Sequence, residues 1–132
     1  MKKQPKIFNG TSHKITFFKA EDAQQHGRKL VLINPDTTPL KEIEPGIDLN
    51  CTTENLPDSD EWDTDIPISG ALVFTAVDEL PPGYDIYIVS NLYRSAYKEL
   101  NGDTSKLATI KGSVYLSLDD TRPVGCLGLI KG

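Results

Sequence analysis

The chain has 132 residues, 38% of them hydrophobic, which is enough to bury a core as one domain spanning residues 1–132. Its 19 acidic and 14 basic side chains give a net charge of -5, but six of the acids lie between residues 54 and 65 with no base among them. The other 120 residues carry a net charge of +1. This argues against a protein that binds duplex nucleic acid, because such proteins usually present a broad basic face.

Membrane insertion and metal binding are also disfavoured. No apolar run approaches the ~18 residues of a membrane span, and the N-terminus lacks the apolar core of a signal peptide, so we expect a cytoplasmic protein. Cys51 and Cys126 form no CxxC pair, and His13 and His26 are the only histidines. A structural zinc site needs about four such ligands. We therefore expect buried free thiols, no metal and no cofactor.

The N-terminal third is rich in short β-type runs. Residues 6–9 and 13–18 contain β-branched and aromatic side chains and predict two strands. The polar residues 19–27 predict a loop or a frayed helical turn. The apolar run at residues 29–33 predicts a buried strand, because Asn-Pro-Asp follows it directly.

The middle of the chain has weak periodicity. Residues 37–65 contain three prolines and predict irregular chain with one short strand near residues 47–51. Residues 54–66 form a predicted acidic surface loop. It lacks the glycine and the bidentate glutamate of an EF-hand, so a solvated loop is favoured over a calcium site. Trp62, inside this loop, is either a local anchor or a contact residue for a partner.

The second half predicts clearer elements. Residues 70–77 and 84–89 are near-continuous apolar runs, typical of strands covered on both faces. Ser90 stands at the N-cap position of a helix over residues 91–100, which ends at Asn101-Gly102. The apolar stripe of this helix is predicted to comprise Leu92, Tyr93, Ala96, Tyr97 and Leu100.

The last quarter completes the predicted sheet. Residues 106–110 predict a short strand, and parallel pairing with strand 84–89 would make a right-handed βαβ crossover. Residues 112–118 and 123–130 flank a polar turn and predict a C-terminal β-hairpin. The expected fold is therefore a strand-rich α+β domain with one short helix.

The junction between strand 84–89 and the helix is the first candidate site. Unpaired N–H groups at a helix start attract anions, and ligands collect beyond the carboxyl ends of strands in open α/β sheets. Ser90 and Asn91 supply polar groups, Arg94 could bind a phosphate or carboxylate through two hydrogen bonds, and Tyr93 could offer a flat face to a base. Alternatively, Ser90 only caps its helix, Arg94 is solvated and Tyr93 belongs to the core.

The segment Asn9-Gly10-Thr11-Ser12-His13 is the second candidate site. In an extended chain, Asn9, Thr11 and His13 would share one face and present a row of hydrogen-bonding groups. Alternatively, Asn9 and Thr11 bond the local backbone in a turn and His13 starts a strand. No common catalytic motif is present, so a non-catalytic protein is favoured and no catalytic residue is assigned.

Several segments resemble a widespread group of small bacteriophage and prophage proteins. Asn9-Gly10-Thr11-Ser12-His13 is similar to the Asn-Leu-Thr-Pro-His opening of that group, and departs from it at Gly10 and Ser12. The match continues through residues 80–83, 87–90 and 122–129 and leaves residues 19–65 largely unmatched. The resemblance implies a phage origin.

A small, non-enzymatic phage protein with an anion-binding helix start is similar, as a class, to the Thoeris anti-defence sponges, which sequester host nucleotide signals. We therefore expect an anti-defence accessory protein that binds a small phosphorylated or nucleotide-type ligand, as a homo-oligomer with the ligand at a subunit junction. One alternative is an interaction protein that blocks a host protein through residues 54–66. Another is a hydrolase of such a signal.

Overall fold

The computed structural model describes residues 4–132 and confirms a strand-rich α+β fold with one α-helix in that range. The strands are β1 (Ile7–Asn9), β2 (Ile15–Phe17), β3 (Ala23–His26), β4 (Lys29–Leu32), β5 (Lys41–Ile43), β6 (Cys51–Asn55), β7 (Leu72–Val77), β8 (Ile86–Ile88), β9 (Leu107–Tyr115) and β10 (Gly125–Lys131). The helix is α1 (Asn91–Asn101), and a 3-10 turn spans Ala20–Asp22.

Eight of the strands form one sheet. Six of them follow the order β1-β8-β9-β10-β2-β5, in which β1, β8 and β9 are parallel to one another. The β9–β10 pair is antiparallel, β10 and β2 are parallel, and β5 is antiparallel to β2. Beside the second half of β9 lies β4, which carries β3 on its other edge. The remaining strands, β6 and β7, form a separate antiparallel ribbon that packs against α1.

The two ends of the six-strand path meet, so these strands curl around an apolar interior. The Gly46 N–H donates to the Asn9 carbonyl at 2.9 Å, and the Asn9 side-chain amide donates to the Ile43 carbonyl at 3.1 Å. Five of the six strands contribute to the interior, which consists of Ile7, Ile15, Phe17, Ile43, Ile88, Cys126 and Leu129. The buried Asn9 therefore joins the first and last strands of the curl.

The helix covers the outer face of this curl. Tyr93 packs with Phe8, Tyr87, Val89 and Leu107 in a second apolar cluster. Both helix ends follow the prediction: the Ser90 hydroxyl accepts a hydrogen bond from the Tyr93 N–H at 3.1 Å, and Gly102 adopts the left-handed conformation with φ of 84°. The parallel pairing of β8 and β9 across α1 is also as predicted.

The buried face of α1 differs from the predicted stripe. Tyr93 and Ala96 are buried and Tyr97 is half-buried, whereas Leu92 and Leu100 are 54% and 41% exposed. The tyrosines fill the space between the curled sheet and the ribbon, and the Tyr93 hydroxyl donates to a backbone carbonyl there. A leucine at that position could not make this bond.

Two predicted buried strands are more exposed than expected. The prediction that residues 70–77 form a strand covered on both faces is wrong, because β7 pairs only with β6 and faces α1 on one side; Leu72 is 57% exposed. The run at residues 29–33 forms β4, but only Leu32 is buried, and Ile33 is 63% exposed. In both cases the apolar run correctly predicted a strand. The prediction that the strand would be buried was wrong, because few neighbouring elements cover it.

Three further boundaries differ from the prediction. Residues 19–27 contain the 3-10 turn and β3. This edge strand was not predicted, because its exposed glutamines give it no apolar pattern. Residues 37–65 contain two strands, β5 and β6, rather than one near residues 47–51. The predicted strands 106–110 and 112–118 are a single strand, β9, and its antiparallel pairing with β10 confirms the hairpin.

Candidate functional site

A cleft of about 750 Å³ lies at the end of the curled sheet where β1 ends and where β2 and β10 begin. This volume falls within the roughly 300–1,000 Å³ typical of small-molecule sites. The floor is apolar and includes Ile15, Ile110, Val124 and Cys126. The polar side chains of the lining are those of Thr11, His13, Lys14, Thr16, Ser113 and Arg122.

The charged groups of the cleft are all basic. Lys14 and Arg122 line it together with the titratable His13, and no carboxylate belongs to the lining. Lys14 pairs with Glu42 at 3.3 Å, but the two side chains are 44% and 46% exposed, so this ion pair is weak. Within residues 4–132, Arg122 makes no ion pair. The cleft is therefore a basic pocket in a chain whose net charge is -5.

Asn9 shapes the rim of the cleft without lining it. Its buried amide donates to the His13 carbonyl at 2.8 Å and to the Ile43 carbonyl at 3.1 Å. Its side-chain oxygen accepts from the Thr11 N–H at 2.9 Å and from the Thr11 hydroxyl at 2.6 Å. Both amide hydrogens and both oxygen lone pairs are thus used within the protein. Asn9 is a positioning residue that holds Thr11 and His13 at the cleft.

The segment that contains Asn9, Thr11 and His13 is therefore a turn and not the predicted extended row. Residues 11–13 form a bend, in which the Thr11 hydroxyl also lies 3.0 Å from the His13 carbonyl oxygen. The bend is favoured because it supplies partners for the buried Asn9 side chain, whose amide donates to the His13 carbonyl and whose oxygen accepts from Thr11. Thr11 and His13 still reach the cleft, and Asn9 does not.

The helix start does not contribute to the cleft. The Ser90 hydroxyl caps α1, Asn91 is exposed, and Tyr93 is 1% exposed with its hydroxyl bonded to the Asp78 carbonyl. Burial raises the pKa of Tyr93 to about 12. Arg94 is half-buried rather than solvated, and its Nε donates to a backbone carbonyl at residue 132. None of these four side chains lines the cleft.

Sequence reasoning missed Lys14, Ser113 and Arg122. Arg122 falls in the polar turn of the predicted hairpin, although it also opens the segment 122–129 that carries the resemblance. Ser113 could not have been found, because it reaches the cleft only where β10 pairs with β9 on one side and approaches β2 on the other. Gly125 permits this approach: a Cβ there would lie 2.5 Å from the Thr16 carbonyl oxygen.

The acidic loop, residues 54–66, is the tip of the β6–β7 ribbon, and every one of its residues is exposed. Backbone hydrogen bonds close its stem, from the Leu56 N–H to Ala71 at 2.9 Å and from the Ser59 N–H to Ile68 at 3.0 Å. Trp62 is 67% exposed, so it is not a local anchor. No carboxylate of the loop takes part in an ion pair in the part of the chain that the structure describes.

The two cysteines are free thiols of different character. Cys126 is buried in the floor of the cleft, as expected, and burial raises the pKa of its thiol. Cys51 is only half-buried. Across residues 4–132, no three His, Cys, Asp or Glu side chains come together as a metal-binding group.

Comparisons of the chain with protein-family models, with curated proteins and with solved structures found no match. Among the described residues, no helix combines the length and the apolar character needed to cross a membrane.

Proposed function

We propose that the protein binds a small phosphorylated or nucleotide-type anion in the cleft and sequesters it without chemical change. One observation carries the proposal: a cleft of ligand size gathers Lys14, Arg122 and His13 and holds no carboxylate. In the biological setting that the resemblance implies, this is a phage accessory protein that withdraws a host signalling molecule in the bacterial cytoplasm.

The lining suits a ligand with an anionic group and an apolar body. Arg122 presents a planar guanidinium that can donate two parallel hydrogen bonds to a phosphate, and Lys14 adds a point charge. The Ser113 hydroxyl can complete the polar contacts with the anion. The apolar floor removes the ligand body from water, which adds affinity in proportion to the area buried.

Sequestration is favoured over hydrolysis. Cys126 supplies the sulfur of the cleft, and its raised pKa keeps it a thiol, which is a poor nucleophile. The Thr11 hydroxyl is engaged with Asn9 rather than with a base. A hydrolase would release a product from these nucleotides, and binding alone would not.

The test is a binding screen with cyclic and ADP-ribose-type nucleotides, combined with mass spectrometry of small molecules released from protein purified out of cells. Binding should raise the melting temperature of the wild-type protein. Arg122→Ala should weaken binding about tenfold or more, since a charge-assisted hydrogen bond contributes about 1.5–3 kcal/mol. Arg28→Ala is the matched control, because Arg28 is an exposed arginine outside the cleft lining.

Two results would overturn the proposal. One is the absence of any thermal shift or released small molecule for the wild-type protein. The other is equal binding by the Arg122→Ala and wild-type proteins. Arg94→Ala should leave binding unchanged; if it weakens binding instead, the ligand sits at the helix start and not in the cleft.

A second function, blocking of a host protein by the acidic loop, is favoured by the exposure of Trp62 and Ile66, which are 67% and 68% exposed. Exposed aromatic and apolar side chains of this kind commonly anchor protein interfaces. Replacing the loop with a short neutral turn separates the two functions. It should abolish capture of a host protein and leave the cleft competent to bind the anion.

A further inference from the structure

We infer that the acidic loop of one copy docks in the cleft of a second copy, with Trp62 on the apolar floor and the neighbouring carboxylates against Lys14 and Arg122. The inference rests on the cleft of the proposed function but requires no nucleotide. It predicts a head-to-tail assembly in which anion binding and self-association compete for one site.

The apolar parts of loop and cleft are complementary. Trp62 and Ile66 are among the most exposed large hydrophobic side chains of residues 4–132, at 67% and 68%. The cleft offers Ile110, which is 40% exposed, and the half-buried Val124 as an apolar surface. A tryptophan buries about 150–250 Å² when it is enclosed, which favours removing this side chain from water.

The charges of loop and cleft are also complementary. Glu61 and Asp63 flank Trp62 directly, Asp60 precedes Glu61, and the whole loop contains no base. Lys14 and Arg122 lie in a cleft with no carboxylate. Opposite potentials of this kind steer two surfaces together and fix their register. The association should weaken as salt rises, because exposed charges are screened.

The occupant is a second copy because the loop of the same chain stays outside the cleft. The loop extends the β6–β7 ribbon, whose stem is fixed by the hydrogen bonds from Leu56 and Ser59. That ribbon packs against α1 on the outer face of the curl, and no residue of the loop belongs to the cleft lining. Each copy therefore carries one free loop and one free cleft. Such a heterologous contact builds rings or short chains.

Sedimentation velocity and Trp62 fluorescence test the association in the wild-type protein. We expect a sedimentation coefficient that rises with concentration and falls with salt. Trp62 is the only tryptophan, so its emission should shift to shorter wavelength as the copies associate. A monomer at millimolar concentration with solvent-like emission would overturn the inference. A blue-shifted monomer would also overturn it, because the loop would then occupy its own cleft.

Mixing two variants tests the geometry of the contact. Arg122→Glu reverses a charge of the cleft, and the triple variant D60K/E61K/D63K reverses the charges of the loop. Each variant alone lacks one of the two contact surfaces and should remain monomeric. An equimolar mixture should form a 1:1 dimer, because it contains one intact loop and one intact cleft. Arg28→Glu is the control for charge reversal and should associate like the wild type. Association of either single variant, or its absence in the mixture, would contradict a loop-in-cleft contact.

The two proposals can fail separately. The triple loop variant should lose association and keep the thermal shift with the nucleotide found in the screen. Association without nucleotide binding would remove only the proposed function, and nucleotide binding without association would remove only this inference. Thermal melts of each variant check its fold, and we expect no loss because the substituted side chains are exposed.

Discussion

The Asn9 side chain joins the end of β1 to the bend that follows it and to β5. It forms hydrogen bonds with Thr11 and His13 in the bend and with Ile43 on β5. Asn9→Ala should lower the free energy of unfolding by roughly 2–4 kcal/mol, because it leaves part-buried backbone groups without partners. Urea denaturation measures this loss. Asn9→Asp should cost at least as much at neutral pH, since a buried carboxylate would face the two carbonyl oxygens.

Asn91→Ala is the matched control, because Asn91 is exposed at the start of α1. Its effect should stay within about 0.5 kcal/mol. Equal effects of the Asn9 and Asn91 substitutions would contradict the role of Asn9 in closing the sheet. The sequence indicated Asn9 as a ligand-binding residue, whereas it lies outside the cleft lining and positions its neighbours; this role could not be predicted, because its partner on β5 lies 34 residues away in the chain.

Tyr93 should make stability depend on alkaline pH. Its pKa is about 12 in the folded protein against 10.0 ordinarily, so the unfolded chain loses this proton more readily than the folded protein. The contribution is fully present below pH 10 and is lost as the pH rises from about 10 to about 12. The loss should reach roughly 2–3 kcal/mol, at about 1.4 kcal/mol for each pKa unit.

Tyr93→Phe isolates this effect. It removes the hydrogen bond to the Asp78 carbonyl, which should cost about 1 kcal/mol at pH 7, and it removes the titration. The stability difference between wild type and variant, measured by denaturation from pH 8 to 12, should therefore shrink or change sign as the pH rises. A difference that stays constant with pH would show that the folded and unfolded states share one Tyr93 pKa.

The ends of α1 depend on local hydrogen bonds at the scale of the element. Ser90→Ala removes the side-chain acceptor of the Tyr93 N–H and should cost about 1 kcal/mol of unfolding free energy. Ser95→Ala, in the exposed middle of the same helix, should be neutral or slightly stabilising, because alanine is the better helix former. Thermal melts that show the same shift for both variants would contradict the capping role.

Elements were predictable where their signals are local. Ser90 and Gly102 marked both ends of α1, because capping chemistry acts within a few residues. The orientation of the elements was not predictable in the same way. Leu72 lies on an apolar run and yet is exposed, because the depth of a strand depends on which strands lie beside it. Nothing in the apolar sequence of residues 70–77 indicates that β7 pairs with β6 alone.

The curl of the whole sheet creates the cleft, and this is why only part of the site could be found in the sequence. Thr11 and His13 were found as candidates because their segment is short and polar. Arg122 and Ser113 meet them across 100 or more residues of chain, a separation over which periodicity carries no information. The sequence favoured Arg94 over Arg122 as the anion-binding arginine, because Arg94 lies at a helix start. In the fold its Nε donates to a backbone carbonyl at residue 132, and its side chain does not line the cleft.

The distribution of charge over the whole molecule leads to a final prediction. Changing the six acids at positions 54, 58, 60, 61, 63 and 65 to their amides takes the net charge from -5 to +1. Stability should change by less than about 1 kcal/mol, because all six side chains are exposed and none takes part in an ion pair within residues 4–132. Urea denaturation measures stability, and native electrophoresis at pH 7 should show reversed migration.

Asp78→Ala is the control for a carboxylate with a structural role, since its side chain accepts a hydrogen bond from the Asn50 N–H at 2.8 Å. This single change should destabilise the protein more than the six amides together. If the six amides were the more damaging change, the loop carboxylates would have to stabilise the folded chain. The acidic loop would then belong to the fold and would not be a surface held free for a partner.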